Sequence, residues 1–216
     1  MRESRTGPRV SEAEPVRLVL GITGASGTIY GVRLLQALVD QPVETHLVMT
    51  EPAEITLQYE MDVEPDEVRA LATHVHHPDD IAAPIASGSF TTAGMIVAPC
   101  SIKTLSGIAN SYTDNLLVRA ADVTLKEGRT LVLMVRETPL HLGHLRLMVR
   151  AAEMGAVVFP PVPAFYGRPA TIEDLVDQSV GRVLARLGLA VGEDMYAVWK
   201  GRDPAAYKTG DHEETS

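Results

Sequence analysis

Five apolar runs punctuate the chain at wide intervals: Val16–Leu20, Glu44–Met49, Gly94–Ala98, Thr130–Val135 and Ala156–Phe159. Most lack the polar alternation of a strand with one wet face, so they predict strands buried on both sides. The stretches between them carry helical spacing. Tyr30–Leu35, Pro52–Glu60, Ile102–Ala109, Asn115–Glu127, His144–Met154 and Thr171–Leu187 are predicted helices, and a shorter one is expected at Pro65–Leu71. Their ends are marked: Pro52 stands in a permitted first-turn position, Gly128 and Gly155 follow helix ends, and Thr171 with Asp174 forms a variant capping box. The rest of Met61–Ala83, acidic and histidine-bearing, is expected to be loop. Strands alternating with helices predict an α/β fold, a three-layer sandwich around a mostly parallel sheet.

Ligands of such sheets sit outside the carboxyl ends of the strands. The residues there are Thr23–Ser26, Thr50-Glu51, Pro99–Thr104, Arg136-Glu137 and Pro160–Tyr166, a set suited to a ligand with a phosphate and a polar head. The first group belongs to Gly21-Ile-Thr-Gly-Ala-Ser-Gly27, where small residues let the backbone approach an anion at a helix start. A tight turn without ligand explains it equally well. No Lys-Ser/Thr pair follows, so it is not a P-loop. Glycines at 21, 24, 27 and 31 do not make the dinucleotide fingerprint either, and Glu44 opens a strand where that fingerprint needs an acid closing one.

Size, charge and cysteine use narrow the class. The 216 residues, 45% hydrophobic, suit one domain with a large core. A formal net charge of −9 and a pI near 5.2 argue against nucleic acid or an anionic membrane as main partner. The lone Cys100 excludes an internal disulfide framework and fits a reducing cytoplasm. No run of eighteen apolar residues occurs, and the first residues lack a signal-peptide core. Residues 1–15 are expected to be a disordered leader, 16–190 the folded domain, and 191–216 a partly disordered extension.

Several side chains have chemistry available, each beside a plainer explanation. Ser101 and Thr104 open a helix after a buried strand, as a phosphate site or an ordinary cap. Arg136 can pin a phosphate while Glu137, on the other side of the chain, moves protons; surface solvation is the alternative. Arg119 and Lys126, seven apart on one helix face, would form with Arg182 a cationic site or a solvated basic surface. His74, His76 and His77 suggest zinc, but no second cluster at ligand spacing accompanies them. His141 and His144 lack a paired carboxylate. Cys100 is expected to pack rather than react, and core packing is the default for Tyr59, Tyr166 and Trp199.

Together, Thr23-Gly-Ala-Ser-Gly27, Pro84-Ile-Ala-Ser-Gly-Ser89, Pro99-Cys-Ser-Ile-Lys-Thr-Leu-Ser-Gly107, Arg119-Ala-Ala-Asp-Val-Thr-Leu-Lys126, Val135-Arg-Glu-Thr-Pro-Leu140 and Pro163-Ala-Phe-Tyr166 resemble the UbiX-type flavin prenyltransferases. The resemblance spans about residues 16 to 190 and preserves the family's motif order. It implies a flavodoxin-like (Rossmann-like) fold that binds reduced FMN and joins a dimethylallyl group from dimethylallyl phosphate to flavin N5 and C6. The prenylated FMN would serve a UbiD-type decarboxylase. It also implies no metal and a homododecamer with sites at subunit junctions.

By position, the resemblance assigns FMN binding to Gly24, Ala25, Ser26, Thr50, Ser101, Ile102, Lys103, Thr104 and Arg136. Ser87, Gly88, Arg119, Lys126, Tyr166 and Arg182 would surround the prenyl phosphate. Ser26, Glu60, Lys126 and Glu137 would be catalytic. A buried Glu60 or Glu137 is expected to have a raised pKa unless pairing with cations offsets it. Where the family often has Ser-Lys-Ala-Ala, this chain has Thr50-Glu51-Pro52-Ala53, which exchanges a positive charge for a negative one. Trp199 falls roughly where members carry a carboxy-terminal Trp. Two other readings share the cofactor: an FMN-dependent cysteine-type decarboxylase, and a non-catalytic FMN-binding subunit of a decarboxylase.

Overall fold

Strand β1, Val16–Ile22, lies at the centre of a six-stranded sheet; the computed structural model describes residues 15–189, 192 and 195–198. From β1 the chain passes through the glycine-rich turn into α1, Thr28–Leu38, then β2, Val43–Met49, and α2, Glu51–Glu60. A short α3, Pro65–Arg69, leads to β3, His74–His76. After a 3-10 turn at Pro84–Ala86 come β4, Gly94–Cys100, α4, Ile102–Ala109, α5, Leu116–Lys126, and β5, Thr130–Val135. The remaining elements are α6, Leu142–Glu153, β6, Val157–Val158, a 3-10 turn at Phe165–Gly167 and α7, Ile172–Arg186.

The strand order is β3-β2-β1-β4-β5-β6, and every pairing is parallel. The expected three-layer α/β sandwich is therefore present, with its connections reversing direction between β1 and β4. Such a reversal opens a crevice at the strand ends. The sheet separates two apolar clusters because successive residues face opposite ways. Leu18, Leu20 and Ile22 join α1 and α7 on one face; Val19, Val48, Met95 and Val97 join α4 and α5 on the other. Gly31 lets α1 sit directly on β4, since a Cβ there would come 2.4 Å from the Ala98 carbonyl oxygen.

Helix ends follow their sequence signals. Asn115 accepts a hydrogen bond from Val118 N at 3.0 Å, Gly128 leaves α5 at φ +67°, and the Thr171–Asp174 capping box closes in both directions. One expectation fails: the histidine-bearing stretch forms β3 instead of loop. Thr45 and Thr73 exchange backbone-to-hydroxyl hydrogen bonds of 3.1 and 2.9 Å, and His46 pairs with His76 at 3.0 Å. These polar contacts hold a three-residue edge strand that has no apolar run to announce it. Residues 1–14 of the expected leader, most of the carboxy-terminal extension and Trp199 lie outside the described residues. No described helix is long and apolar enough to cross a membrane.

Candidate active site at the strand ends

The turn after β1 ends at Gly27, whose φ of +100° favours glycine strongly. The first amides of α1 then point outward without partners in their own helix. Glu60, at the far end of α2, takes them: Gly27 N donates to its two oxygens at 3.0 and 2.8 Å, and Thr28 N and Oγ1 each donate at 3.0 Å. The Ser26 side chain lies beside this carboxylate and helps to hold it charged. The expected phosphate cradle is thus, in this chain, a carboxylate cradle joining Ser26 to Glu60. Partial burial pushes the Glu60 pKa up, but Ser26 and the hydrogen bonds from Gly27 and Thr28 outweigh it and leave the value lowered. A raised pKa is expected of a buried carboxylate; Glu60 is exposed, and backbone amides and hydroxyls, not cations, hold its charge.

This sets the sign of one pH effect. A lowered folded pKa stabilises the fold above the unfolded carboxylate range, and that contribution disappears as pH falls through the folded value. Glu60→Gln is therefore expected to have a melting temperature below the parent near neutrality, with the gap closing as pH falls below about 4. A gap that stays constant with pH would contradict the cradle.

The end of β2 supplies the next wall. Thr50 precedes α2, and its Oγ1 is buried without a hydrogen-bond partner. A buried hydroxyl so placed calls for a ligand atom or water. Gly24 brings the first turn against α2, because a Cβ there would sit 2.4 Å from Pro52 Cβ. Ala25 N donates to Thr23 O at 2.8 Å, which tightens the same turn. Glu51 is exposed in the first turn of α2, where a negative charge is favourable.

Thr23, not singled out individually in the sequence, ties the two central strands together. Its Oγ1 donates to Pro99 O at 2.7 Å and accepts from Ser101 N at 2.8 Å. Ser101 in turn caps α4, accepting from Thr104 N at 3.3 Å and donating to Thr104 Oγ1 at 3.1 Å. Of the two companions on α4, Ile102 packs against the apolar cluster, whereas Lys103 is exposed and lies 3.9 Å from Asp114. At the end of β5, the Arg136 side chain passes close to Gly27, 3.8 Å from where a Cβ would stand. Burial raises the Tyr30 pKa and the Arg136 charge partly offsets this, so the cation faces the α1 entrance. Glu137 is exposed and accepts from its neighbour Thr138 N at 3.0 Å.

A second group of expected site residues meets beside α5. Ser87 and Ser89 share a hydrogen bond of 2.9 Å. A Cβ on Gly88 would fall 2.7 Å from Lys126 Nζ, so the loop passes directly over the ammonium group, which also pairs with Glu127. Arg119 Nε donates to Ala86 O at 3.2 Å, and its Nη1 pairs with Asp122 at 2.9 Å. Arg129 donates to Gly88 O at 2.7 Å and Phe90 O at 2.8 Å. Nothing in the spacing marked Arg129, because its partners are carbonyls about forty residues away. Ser87, Gly88, Arg119 and Lys126 are thus brought together as one ledge, with Arg119 paired to Asp122 and Lys126 to Glu127.

Tyr166 and Arg182 do not join that ledge within one chain. Tyr166 accepts from Gln178 Nε2 at 2.8 Å and donates to Ala197 O at 3.0 Å. Arg182 lies 5.9 Å from the Phe159 ring. Both belong with α7, which packs on the opposite side of the sheet from α5. Cys100 is fully buried and burial pushes its thiol pKa up, which suits packing and not attack. Tyr59, at 88% exposed, does not pack in the core as the default reading had it.

Hydroxyls, helix amides and an arginine around the β1/β4 reversal define an α/β protein with a crevice for a phosphorylated, nucleotide-like ligand. Residues 7–184 match the family model Flavoprotein. The chain is 62% identical over 186 residues to flavin prenyltransferase UbiX of Escherichia coli K12, covering 86% of this chain and 98% of that one. Among solved structures, AnUbiX (PadA1) in complex with FMN and dimethylallyl pyrophosphate superposes with a TM-score of 0.85 at 52% identity, covering 88% of this chain and 100% of the other. A dodecameric FMN-dependent UbiX-like decarboxylase from Escherichia coli O157:H7 gives 0.83 at 50%, covering 86% and 100%. The chain belongs to the UbiX family of flavin prenyltransferases.

Proposed function

We propose that this protein transfers a dimethylallyl group from dimethylallyl phosphate to reduced FMN. The observation that carries the reading is the pairing, in one chain, of an unsatisfied flavin-side crevice with a separate anion ledge. The buried Thr50 Oγ1 without a partner and the close-approach turn at Gly24 fit FMN. Gly24, Ala25, Ser26, Thr50, Ser101, Ile102, Lys103, Thr104 and Arg136 would hold it. Reduced flavin supplies, at N5 and C6, the electron-rich positions that receive the prenyl carbon.

The chain's own groups account for the rest. Lys126 and Arg119, with Ser87 and Gly88, bind the phosphate and neutralise the charge that grows on it as the allylic bond breaks. Cations do there what magnesium does in other prenyl transfers, so no metal is needed for the step. Tyr166 and Arg182, on the far side of the sheet, complete this site from a neighbouring subunit. That arrangement supports a homododecamer, as found for the Escherichia coli O157:H7 neighbour. Ser26 and Glu60, neighbours at the turn after β1, relay a proton at the flavin edge, and Glu137 assists from the opposite strand end. A UbiD-type decarboxylase would use the product. Residues 16–190 form the catalytic unit, and the cytoplasm is its compartment.

The cysteine-type decarboxylase reading leaves the Lys126–Arg119 ledge without a task, and the non-catalytic reading leaves the Ser26–Glu60 pair without one. Incubating the protein with reduced FMN and dimethylallyl phosphate, followed by mass analysis of the released flavin, is expected to show the gain of one five-carbon unit. Unmodified flavin would overturn the proposal.

A further inference from the structure

At the opposite ends of the strands, β2 and β3 bring a second set of side chains together. Glu44 and His46, two apart on β2, share one face of the sheet, and the parallel register places His74 directly beside His46. The two imidazoles stack with centroids 4.6 Å apart. His74 Nε2 lies 2.6 Å from Glu44 Oε1, and His46 Nε2 lies 4.0 Å from the same oxygen. One ligand atom from each of the three residues falls within 4.8 Å of the others.

The decisive atom is His46 Nε2. His46 is only 3% exposed, and this nitrogen has no hydrogen-bond partner. Its Nδ1 is engaged with His76 Nε2 at 3.0 Å. When Nδ1–H donates to His76, Nε2 presents a bare lone pair towards Glu44 and His74. In the other tautomer a buried N–H would have no acceptor. Either way the fold bears the cost of an unsatisfied buried group. A hydrogen-bond acceptor on the other ring nitrogen fixes the tautomer and orientation of a metal-bound histidine, and His76 stands in that position towards His46.

We propose that Glu44, His46 and His74 form a binding site for a divalent transition-metal ion, of which Zn2+ is the best match. Two imidazoles and one carboxylate are zinc ligands, and bonds of about 2.0–2.2 Å would place them roughly 3.3 Å apart around a tetrahedral ion. Reaching that spacing needs Glu44 and His74 to separate by about 0.7 Å and His46 to close on both, by at most about 1.5 Å. His74 can adjust, because it is half exposed on an edge strand. Through the same opening a water would complete the coordination. Arg17 Nε holds the other Glu44 oxygen at 3.0 Å, which orients the carboxylate while its charge weakens the attraction for the cation. Phe90 closes the side of the His46 ring with an edge contact at 5.1 Å.

The site lies at the amino-terminal part of β2, away from the strand ends where the flavin chemistry is placed, so it stands independently of that reading. The sequence showed the histidines 74, 76 and 77 but no second cluster; the fold supplies it from thirty residues earlier.

Full-length protein stripped with a chelator and dialysed against Zn2+ is expected to retain a single zinc per chain and to melt at higher temperature than the stripped form. His74→Ala removes the exposed ligand and is expected to weaken zinc binding at least about tenfold while the stripped variant melts like the stripped parent. His77→Ala, beside the cluster but directed to Asp79, is expected to bind like the parent. Co2+ in place of zinc should give visible ligand-field bands that vanish in His74→Ala. Failure of the parent to retain zinc, or equal retention by the parent and His74→Ala, would overturn the proposal and leave a buried water as the partner of His46.

Discussion

Lys126→Ala is expected to slow prenyl transfer by about 10²–10³-fold while leaving FMN affinity unchanged. The lysine sits at the carboxyl end of α5, where its ammonium group lies under Gly88 and beside Glu127. A positive charge there gains most when phosphate becomes a leaving group, because two negative charges are then concentrated on its oxygens. Flavin affinity is the internal control, since the turn after β1, Thr50 and Ser101 belong to other strand ends. Glu127→Gln separates two roles for the lysine. If Lys126 serves the substrate, losing its ion-pair partner leaves turnover largely intact; if it serves only the Lys126–Glu127 pair, both variants are equally damaged. Single-turnover measurements with reduced FMN and dimethylallyl phosphate, followed by mass analysis, give both answers.

Gly31→Ala is expected to destabilise the fold by about 2–4 kcal/mol, a fall in melting temperature of roughly 5–15 °C. The added methyl would meet the Ala98 carbonyl oxygen at 2.4 Å and Ile22 side-chain carbons at 2.8 Å. The isoleucine can shift, but the carbonyl is part of β4 in the sheet interior. α1 must therefore rise from the sheet, loosening Val32, Leu34 and Leu35, all buried. The same movement would drag the α1 amides from Glu60, so flavin affinity should fall along with stability. A melting temperature within about 2 °C of the parent would show that α1 does not rest on β4 as described.

The order of layers was readable because this fold announces itself through uninterrupted apolar runs such as Leu131–Val135, buried at every position. β3 was not readable. Its stability comes from Thr73 and His76 contacting partners on β2, and a three-residue strand with polar side chains has no periodicity to detect. The site divided along the same line. Residues attached to strand ends or helix starts, such as Ser101 and Arg136, could be placed from local pattern. The Ser26–Glu60 pairing could not, because it depends on how far α2 reaches back towards α1. Arg129 and Thr23 act through backbone carbonyls and amides distant in sequence, and those contacts leave no trace in residue spacing.

The Thr23 bridge between Pro99 and Ser101 has one more implication. Only 1% exposed, it fastens the two halves of the sheet where their connections diverge, with its hydroxyl, Pro99 O and Ser101 N satisfied by one another inside the protein. The floor of the crevice is consequently rigid before any ligand arrives. The entropy of aligning β1 with β4 is lost once, during folding, and is not charged again at each encounter. An acceptor that must leave after modification and be replaced by a fresh one then meets the same slot on every cycle, and turnover need not wait for the sheet to rearrange.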